Sequence, residues 1–336
     1  MGLSCRVYQK GRYDKKISDK MIDGILVVNK PTGISSAGVV ARVKKILKAK
    51  RVGHTGTLDP FATGILICCL NRATRLASLL VQGKKRYEAV LRLGVRTDTQ
   101  DLTGEVISVE RNISFKESEI YSAFERFRGK ILQTPPPFSA LKHRGVPLYK
   151  LARKGSYVEK PPRTVFIYES NILEIALPDI RFEVLCSHGT YVRALCADIG
   201  DALGCGGHLA GLCRTENAGF TLKDSSTLEE IEELASKDRI EERIINMGDA
   251  LKEVSAVFAN EWLAQKIRHG QPIFKRELNI KDGIDHLWIK IVDSDNNLIA
   301  VLDRDTRRGA CYKYVCVFPD IMNKKKGGFK SGLGRK

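Results

Sequence analysis

Neither a helix nor a strand can run unbroken from Arg51 to Gly64. Glycines at 53, 56 and 64 and Pro60 punctuate the stretch, and no apolar period survives across it. The chain must therefore hold an irregular polar loop, Gly53-His-Thr-Gly-Thr-Leu-Asp-Pro60, between regular elements. Ahead of it, Gly24-Ile-Leu-Val-Val-Asn29 predicts a short strand, stopped by the turn Lys30-Pro-Thr-Gly33. Ser35 or Ser36 then caps a helix. Val39, Val40, Val43, Ile46 and Leu47 recur there at helical spacing, and Arg42, Lys44, Lys45 and Lys48 make a basic face able to meet phosphate.

Further along, strands and helices alternate. Residues 87–94, 105–109 and 181–186 read as strands, 115–127 as a helix with Ile120, Phe124 and Phe127 on one side, and 190–203 as a helix closed by Gly204. The turn Ser187-His-Gly-Thr190 starts that last helix and places Arg193 near its beginning. Residues 133–149 carry four of the eleven prolines and read as an ordered surface segment. Residues 228–238 form an acidic, helix-prone stretch. After Lys252 the character changes: a helix over 258–270 and short strands at 287–292 and 297–302, around the turn Asp293-Ser-Asp-Asn296, predict a small β-rich module. The mixture gives an α+β fold class.

Charge narrows the partner. Lys and Arg number 56 against 39 Asp and Glu, a net +17 that attracts a polyanion, so nucleic acid is the favoured ligand. No apolar run approaches the ~20 residues of a membrane span. Nine cysteines, an odd number scattered through apolar stretches such as Ile67-Cys-Cys-Leu70, suit reduced thiols and a cytoplasmic location. Cys205, His208 and Cys213 are three metal-ligand types within nine residues, but zinc usually takes four ligands in a closed site, so they read as structural.

By itself the 53–60 loop is ambiguous, since an Asp beside Pro and near Gly commonly shapes a turn. The wider pattern decides. In order come Gly24-Ile-Leu-Val-Val-Asn-Lys-Pro-Thr-Gly33, Gly53-His-Thr-Gly-Thr-Leu-Asp-Pro-Phe-Ala-Thr-Gly64, Lys85-Arg-Tyr-Glu-Ala89 and Gly94-Val-Arg-Thr-Asp-Thr-Gln-Asp-Leu-Thr-Gly104. Gln133-Thr-Pro-Pro-Pro-Phe-Ser-Ala-Leu-Lys142 and Cys186-Ser-His-Gly-Thr-Tyr-Val-Arg193 follow. With these pieces the chain resembles the bacterial TruB family of tRNA pseudouridine-55 synthases over nearly all its length.

The resemblance implies a catalytic domain with a mixed, mainly antiparallel sheet flanked by helices and loops, and a C-terminal PUA-like β-barrel. The expected division is a basic arm (1–22), the catalytic domain (23–250), the PUA-like RNA-binding domain (251–319) and a basic disordered tail (320–336). The implied activity is isomerisation of uridine to pseudouridine in the T-arm loop of tRNA, by a monomer with no obligatory protein partner. The family's catalytic Asp falls on Asp59, its active-site Tyr on Tyr87 and its carboxylate-pairing Arg on Arg193. His54 matches the residue that fills the RNA stack when bases flip out. Lys30 matches a Lys with either a structural or an RNA-contacting role, and Leu212 an apolar residue lining the uracil pocket or simply the core. Lys142 is a candidate phosphate contact.

The chemistry fits these residue types. Moving the uracil bond from N1 to C5 involves no net redox, so no nicotinamide, flavin or metal cofactor is expected. Asp59 can attack as a nucleophile or stabilise positive charge on the sugar, and both uses need it ionised; Arg193 beside it favours that form. Tyr87 can stack on uracil and move a proton through its oxygen. Two rivals stand beside this reading: a tRNA-binding folding helper, and a guide-RNA-dependent synthase of the dyskerin type.

Overall fold

The structure, a computed structural model, describes residues 22–278, 280, 287–304 and 311–319. The expected basic arm, apart from Ile22, and the basic tail lie outside the described residues. Seven strands form the path of the main sheet, in the order Gly24–Lys30, Thr63–Leu70, Gly207–Asn217, Lys85–Leu93, Asp179–Cys186, Arg163–Ala176 and Gly129–Gln133. Every neighbouring pair on this path is antiparallel except Thr63–Leu70 with Gly207–Asn217. The sheet is thus mixed and mainly antiparallel.

Strand composition follows from what covers each face. Lys85–Leu93 alternates, sending Tyr87, Ala89, Leu91 and Leu93 into a core shared with the helices Glu117–Glu125 and Val192–Ala202. Gly24–Lys30 and Thr63–Leu70 are instead buried on both faces. Leu26, Val28, Leu66 and Cys68 meet the helices Ser36–Ile46 and Leu228–Ser236, while Ile25, Val27, Ile65 and Ile67 meet Val292, Leu298, Val301 and Phe318 from the C-terminal part. That explains the unbroken apolar runs.

Capping explains the helix limits. Ser35 accepts from the Gly38 N–H at the start of Ser36–Ile46, and Thr227 and Glu230 form a capping box before Leu228–Ser236. The helix expected over 258–270 is shorter, Glu261–Arg268: Asn260 is its N-cap, and Phe258 belongs to the strand Ser255–Phe258. The basic helix face is also less free than expected. Arg42 lies 3.4 Å from Glu229 and 3.3 Å from Glu232, so the acidic helix already partners it.

The C-terminal sheet has five strands, ordered Ser255–Phe258, Trp288–Val292, Leu298–Asp303, Cys311–Val317 and Ile273–Phe274. It curls into a half-barrel of PUA-like kind, with Leu263, Ala264 and Ile267 of the helix packed against Ile289, Ile291, Ala300 and Leu302. Arg75 donates to the Val317 carbonyl at 2.5 Å and lies over the Phe318 ring, joining this sheet to the main one by more than apolar contact.

Candidate active site

The irregular loop ends where the sheet changes direction. Gly64, at φ +96°, opens the Thr63–Leu70 strand opposite Arg214 of the only parallel pair on the main sheet's path. A Cβ on Gly64 would sit 2.3 Å from the Arg214 carbonyl oxygen, so this close approach needs glycine. Lys30 fastens the loop from the other side. Its side chain is fully buried, and Nζ donates to the carbonyls of Pro31, Pro60 and Ala62 at 2.8, 3.1 and 2.6 Å. Ser36 adds a third tie, accepting from the Leu58 N–H at 2.8 Å and donating to the Leu58 carbonyl at 3.0 Å.

These ties present Asp59 to Arg193. Arg193 Nε lies 3.1 Å from Asp59 Oδ2, with the Arg side chain 5% exposed and the Asp side chain 33% exposed. The rest of the guanidinium is anchored: Nη1 reaches Asp101 Oδ2 at 3.1 Å and the Thr99 carbonyl at 3.0 Å, and Nη2 the Phe138 carbonyl at 2.8 Å. Asp101 is itself saturated, its Oδ1 accepting from Thr99 Oγ1, the Thr103 N–H and Thr103 Oγ1 at 2.8, 2.9 and 2.6 Å. The helix bearing Arg193 has no side-chain cap of its own. Gln133 supplies the order, exchanging two hydrogen bonds with the Tyr191 backbone at 2.7 and 3.0 Å.

Burial nevertheless dominates Asp59. Desolvation, the largest influence, raises its pKa above 3.8, against the pull of Arg193 and Lys30, while Asp101 pushes the same way as burial. The expectation that Arg193 would offset burial therefore captures the sign of that contact but not the net result. Burial also raises Tyr87, whose side chain faces Arg214, Cys186 and Asp59. Lys30 is lowered to about 8, mainly by burial. His54 is lowered by burial and by Arg214, which keeps the imidazole neutral at pH 7.

Known proteins supply the family. The model of the TruB family pseudouridylate synthase N-terminal domain matches residues 44–192, and that of the tRNA pseudouridylate synthase B C-terminal domain matches 193–256. The chain is 41% identical over 287 residues to tRNA pseudouridine synthase B of Burkholderia mallei (strain ATCC 23344), covering 85% of this chain and 92% of that one. The chain belongs to the TruB family of pseudouridylate synthases. Identity to tRNA pseudouridine synthase B of Syntrophus aciditrophicus (strain SB) is 43% over 283 residues, covering 83% of this chain and 90% of that one. Among solved structures, a chain of a Cbf5–Nop10–Gar1 complex aligns with TM-score 0.69 and 27% identity over 88% of this synthase and 85% of that chain. An H/ACA RNP bound to a substrate RNA aligns with TM-score 0.67 and 25% identity, covering 88% and 85%. The synthase is therefore an enzyme of the isomerase class.

Of the residues singled out in the sequence, the fold gathers Asp59, Arg193, Tyr87 and Lys30 around one loop. Leu212 lies opposite Ala89 and packs, partly buried, against the cluster holding Leu58, Ala62 and Tyr87. His54 ends the short strand Val52–His54, and its Nδ1 is buried without a partner. Lys142 is exposed on the hairpin Lys142–His143 with Val146–Pro147, whose approach through Phe138 is held by Arg193. Of the two roles open to Lys30, structural or RNA-contacting, its contacts favour the structural one, since the ammonium donates to three carbonyls inside the protein. Cys205 donates to the Gly206 carbonyl at 3.2 Å and His208 Nδ1 lies 2.9 Å from the Val95 carbonyl. Among the described residues no three His, Cys, Asp or Glu side chains group as metal ligands.

Two residues escaped the sequence reading. Asp101 was visible only as one of two aspartates in Thr97-Asp-Thr-Gln-Asp-Leu-Thr103; the Thr on either side, at 99 and 103, is the local signal for a hydrogen-bonded carboxylate. Arg214, 1% exposed, gave no such signal.

Proposed function

We propose that the synthase isomerises uridine to pseudouridine in the T-arm loop of tRNA, at position 55, on a base flipped out of its stack, with Asp59 as the essential carboxylate and no cofactor. The observation that carries this reading is the Asp59 carboxylate, part exposed at 33%, fixed by a guanidinium that is itself anchored at three further points. Such a carboxylate is preorganised to act at C1′ without reorienting during the reaction. The relatives named tRNA pseudouridine synthase B, at 41–43% identity against 27% for the chain of the Cbf5–Nop10–Gar1 complex, support tRNA as substrate; the enzyme acts on it as a monomer, with no obligatory protein partner.

In this mechanism Asp59 meets C1′ as the N1 bond breaks, the uracil turns, and C5 takes the place of N1. Tyr87 stacks on the base and moves the C5 proton. Leu212 lines the base pocket, and neutral His54 fills the gap left in the RNA stack. Extrusion costs about a few kcal/mol, recovered from phosphate contacts by a chain of net charge +17, Lys142 among them. Residues 23–250 carry the chemistry, and 251–319 add RNA affinity. The enzyme works in the cytoplasm.

The test follows from the atoms. Joining C5 to C1′ expels the hydrogen on C5, so a T-arm stem-loop tritiated at uridine C5 releases tritium to water once per turnover. Wild type releases it, and Asp59→Asn releases none while binding the RNA within about tenfold, because the substitution removes charge with little volume. Release by Asp59→Asn at a near-wild-type rate overturns the assignment.

A further inference from the structure

Three cations lie buried behind the Asp59 loop: Lys30, fully buried, Lys85, 6% exposed, and Arg214, 1% exposed. No carboxylate pairs with any of them among the described ion pairs. Lys30 and Lys85 spend their ammonium groups on backbone carbonyls, Lys85 on those of Val81 and Gly83 at 2.8 and 2.7 Å. Arg214 is different. Nε donates to the Ile65 carbonyl at 2.7 Å and Nη2 to the Gly56 carbonyl at 3.2 Å, which leaves Nη1 over. A buried cation of this kind costs stability unless it faces a group that becomes negative.

The register shows which group that is. Arg214 stands directly opposite Tyr87 in the antiparallel pair of Gly207–Asn217 with Lys85–Leu93, so the two side chains leave the sheet on the same face. The pairing shifts between Arg214 and Glu216, an irregularity of the sort that re-aims side chains beside active sites. Burial is the largest influence on Tyr87 and raises it, and the Arg214 guanidinium acts against burial in favour of the phenolate. The other titratable groups acting on Tyr87 are Cys186, from the adjoining strand, and Asp59, from the loop, and both disfavour a phenolate. Arg214 is the one that favours it.

We propose that Arg214 is a positioning residue of the isomerisation: its guanidinium, on the sheet face it shares with Tyr87, orients the Tyr87 oxygen that takes the proton from C5. The inference rests on the proton-transfer role given to Tyr87 above. When the C5–C1′ bond has formed, C5 still carries its hydrogen. Tyr87 phenolate takes that proton as the electron pair of the C5–H bond restores the ring double bond, and N1, left with the pair from its broken bond to C1′, takes a proton from solvent. No oxidant or reductant is needed. The same guanidinium, through Gly56 and Ile65, ties both ends of the Asp59 loop to the strand that carries it.

Arg214→Lys, Arg214→Gln, Tyr87→Phe and the two double variants separate these roles in full-length enzyme, by single-turnover tritium release from the C5-labelled stem-loop across pH 6–10 with melting curves for each protein. Burial already raises Tyr87 above its ordinary 10 and removing the cation raises it further, so Arg214→Gln is expected to lose at least about tenfold throughout pH 6–10. Arg214→Lys keeps the charge, and with it the wild-type pH profile, at a smaller loss. Adding either Arg214 change to Tyr87→Phe is expected to slow it by less than about threefold further, because the oxygen it serves is gone. A deuterium isotope effect at C5, larger in Arg214→Lys than in wild type, marks the proton step as the one slowed and is readable even if Arg214→Gln does not fold. Losses that multiply with Tyr87→Phe, or a rate and isotope effect unmoved in both Arg214 variants, overturn the proposal and leave Arg214 as a loop tie. A wild-type rate in Tyr87→Phe itself removes instead the role on which the proposal rests.

Discussion

Arg193→Lys separates the planar fork of the arginine from its charge. From three nitrogens, Arg193 serves two carboxylates at 3.1 Å and two carbonyls at 3.0 and 2.8 Å. A lysine ammonium is one nitrogen on a shorter reach. Placed between Asp59 and Asp101, it abandons the carbonyls of Thr99 and Phe138; placed to serve a carbonyl, it abandons a carboxylate. Forfeiting two buried hydrogen bonds at about 1–1.5 kcal/mol each amounts to about 2–3 kcal/mol. If that deficit falls on the alignment of Asp59 in the transition state, at ~1.36 kcal/mol per tenfold, the chemical step slows roughly 30- to 150-fold. Single-turnover tritium release at saturating enzyme measures it, and a melting curve records the accompanying fall of a few degrees in Tm. A rate within about threefold of wild type would refute the reasoning, because Asp59 would then need only a nearby positive charge.

Asp59→Asn is expected to melt higher than wild type at pH 7. The folded-state pKa lies above 3.8, so the native protein holds that proton more tightly than the unfolded chain, and stability falls as pH rises through the folded value. Asn avoids the loss, so the gap between the two melting curves should close as pH drops toward 4; a variant less stable at pH 7 contradicts the raised pKa. Tyr87→Phe should bind the stem-loop normally yet lose at least ~10²-fold in the chemical step, whereas Tyr87→Leu should lose both. Equal turnover by Phe and Tyr would reduce the residue to a stacking platform. Ending the chain before Phe258 removes Val292, Leu298, Val301 and Phe318 from the core they share with Ile25 and Ile65, so the truncated protein should bind an apolar dye and aggregate on gentle warming. A soluble, cooperatively melting fragment with only weakened RNA binding would mean that the core closes without them.

How far the fold could be read from the chain varied with local chemistry. The first strand and the Ser35-capped helix were legible because their signals are local. Gly207–Asn217 was not recognised as a central strand: its pairing shifts twice, between Leu209 and Gly211 and between Arg214 and Glu216, and each shift breaks the alternation that marks a strand. Arg163–Ala176 hid for the same reason, with irregularities after Ile167 and Ile172. At the site, Asp59 and Arg193 were found through motif resemblance and the fold sets them 3.1 Å apart. Lys30 came from the same resemblance, but no sequence states whether an ammonium faces solvent or three carbonyls. Arg214 was missed because a charged residue in an apolar run looks like a strand edge until its partners across the sheet are known.

The single parallel pair on the main sheet's path sets an order on the making of this protein. Thr63–Leu70 cannot gain its inner neighbour until Gly207–Asn217 exists, about 140 residues later, or roughly 7–30 s at the ~5–20 residues per second of synthesis. Until then the loop carrying Asp59 has no Arg214 to tie it, and the start of the strand, ahead of the Cys68–Leu70 stretch already paired with Val52–His54, presents an open edge on the ribosome. The nascent chain is thus catalytically blank for most of its synthesis and exposed to aggregation for the same interval, and both conditions end when one strand arrives.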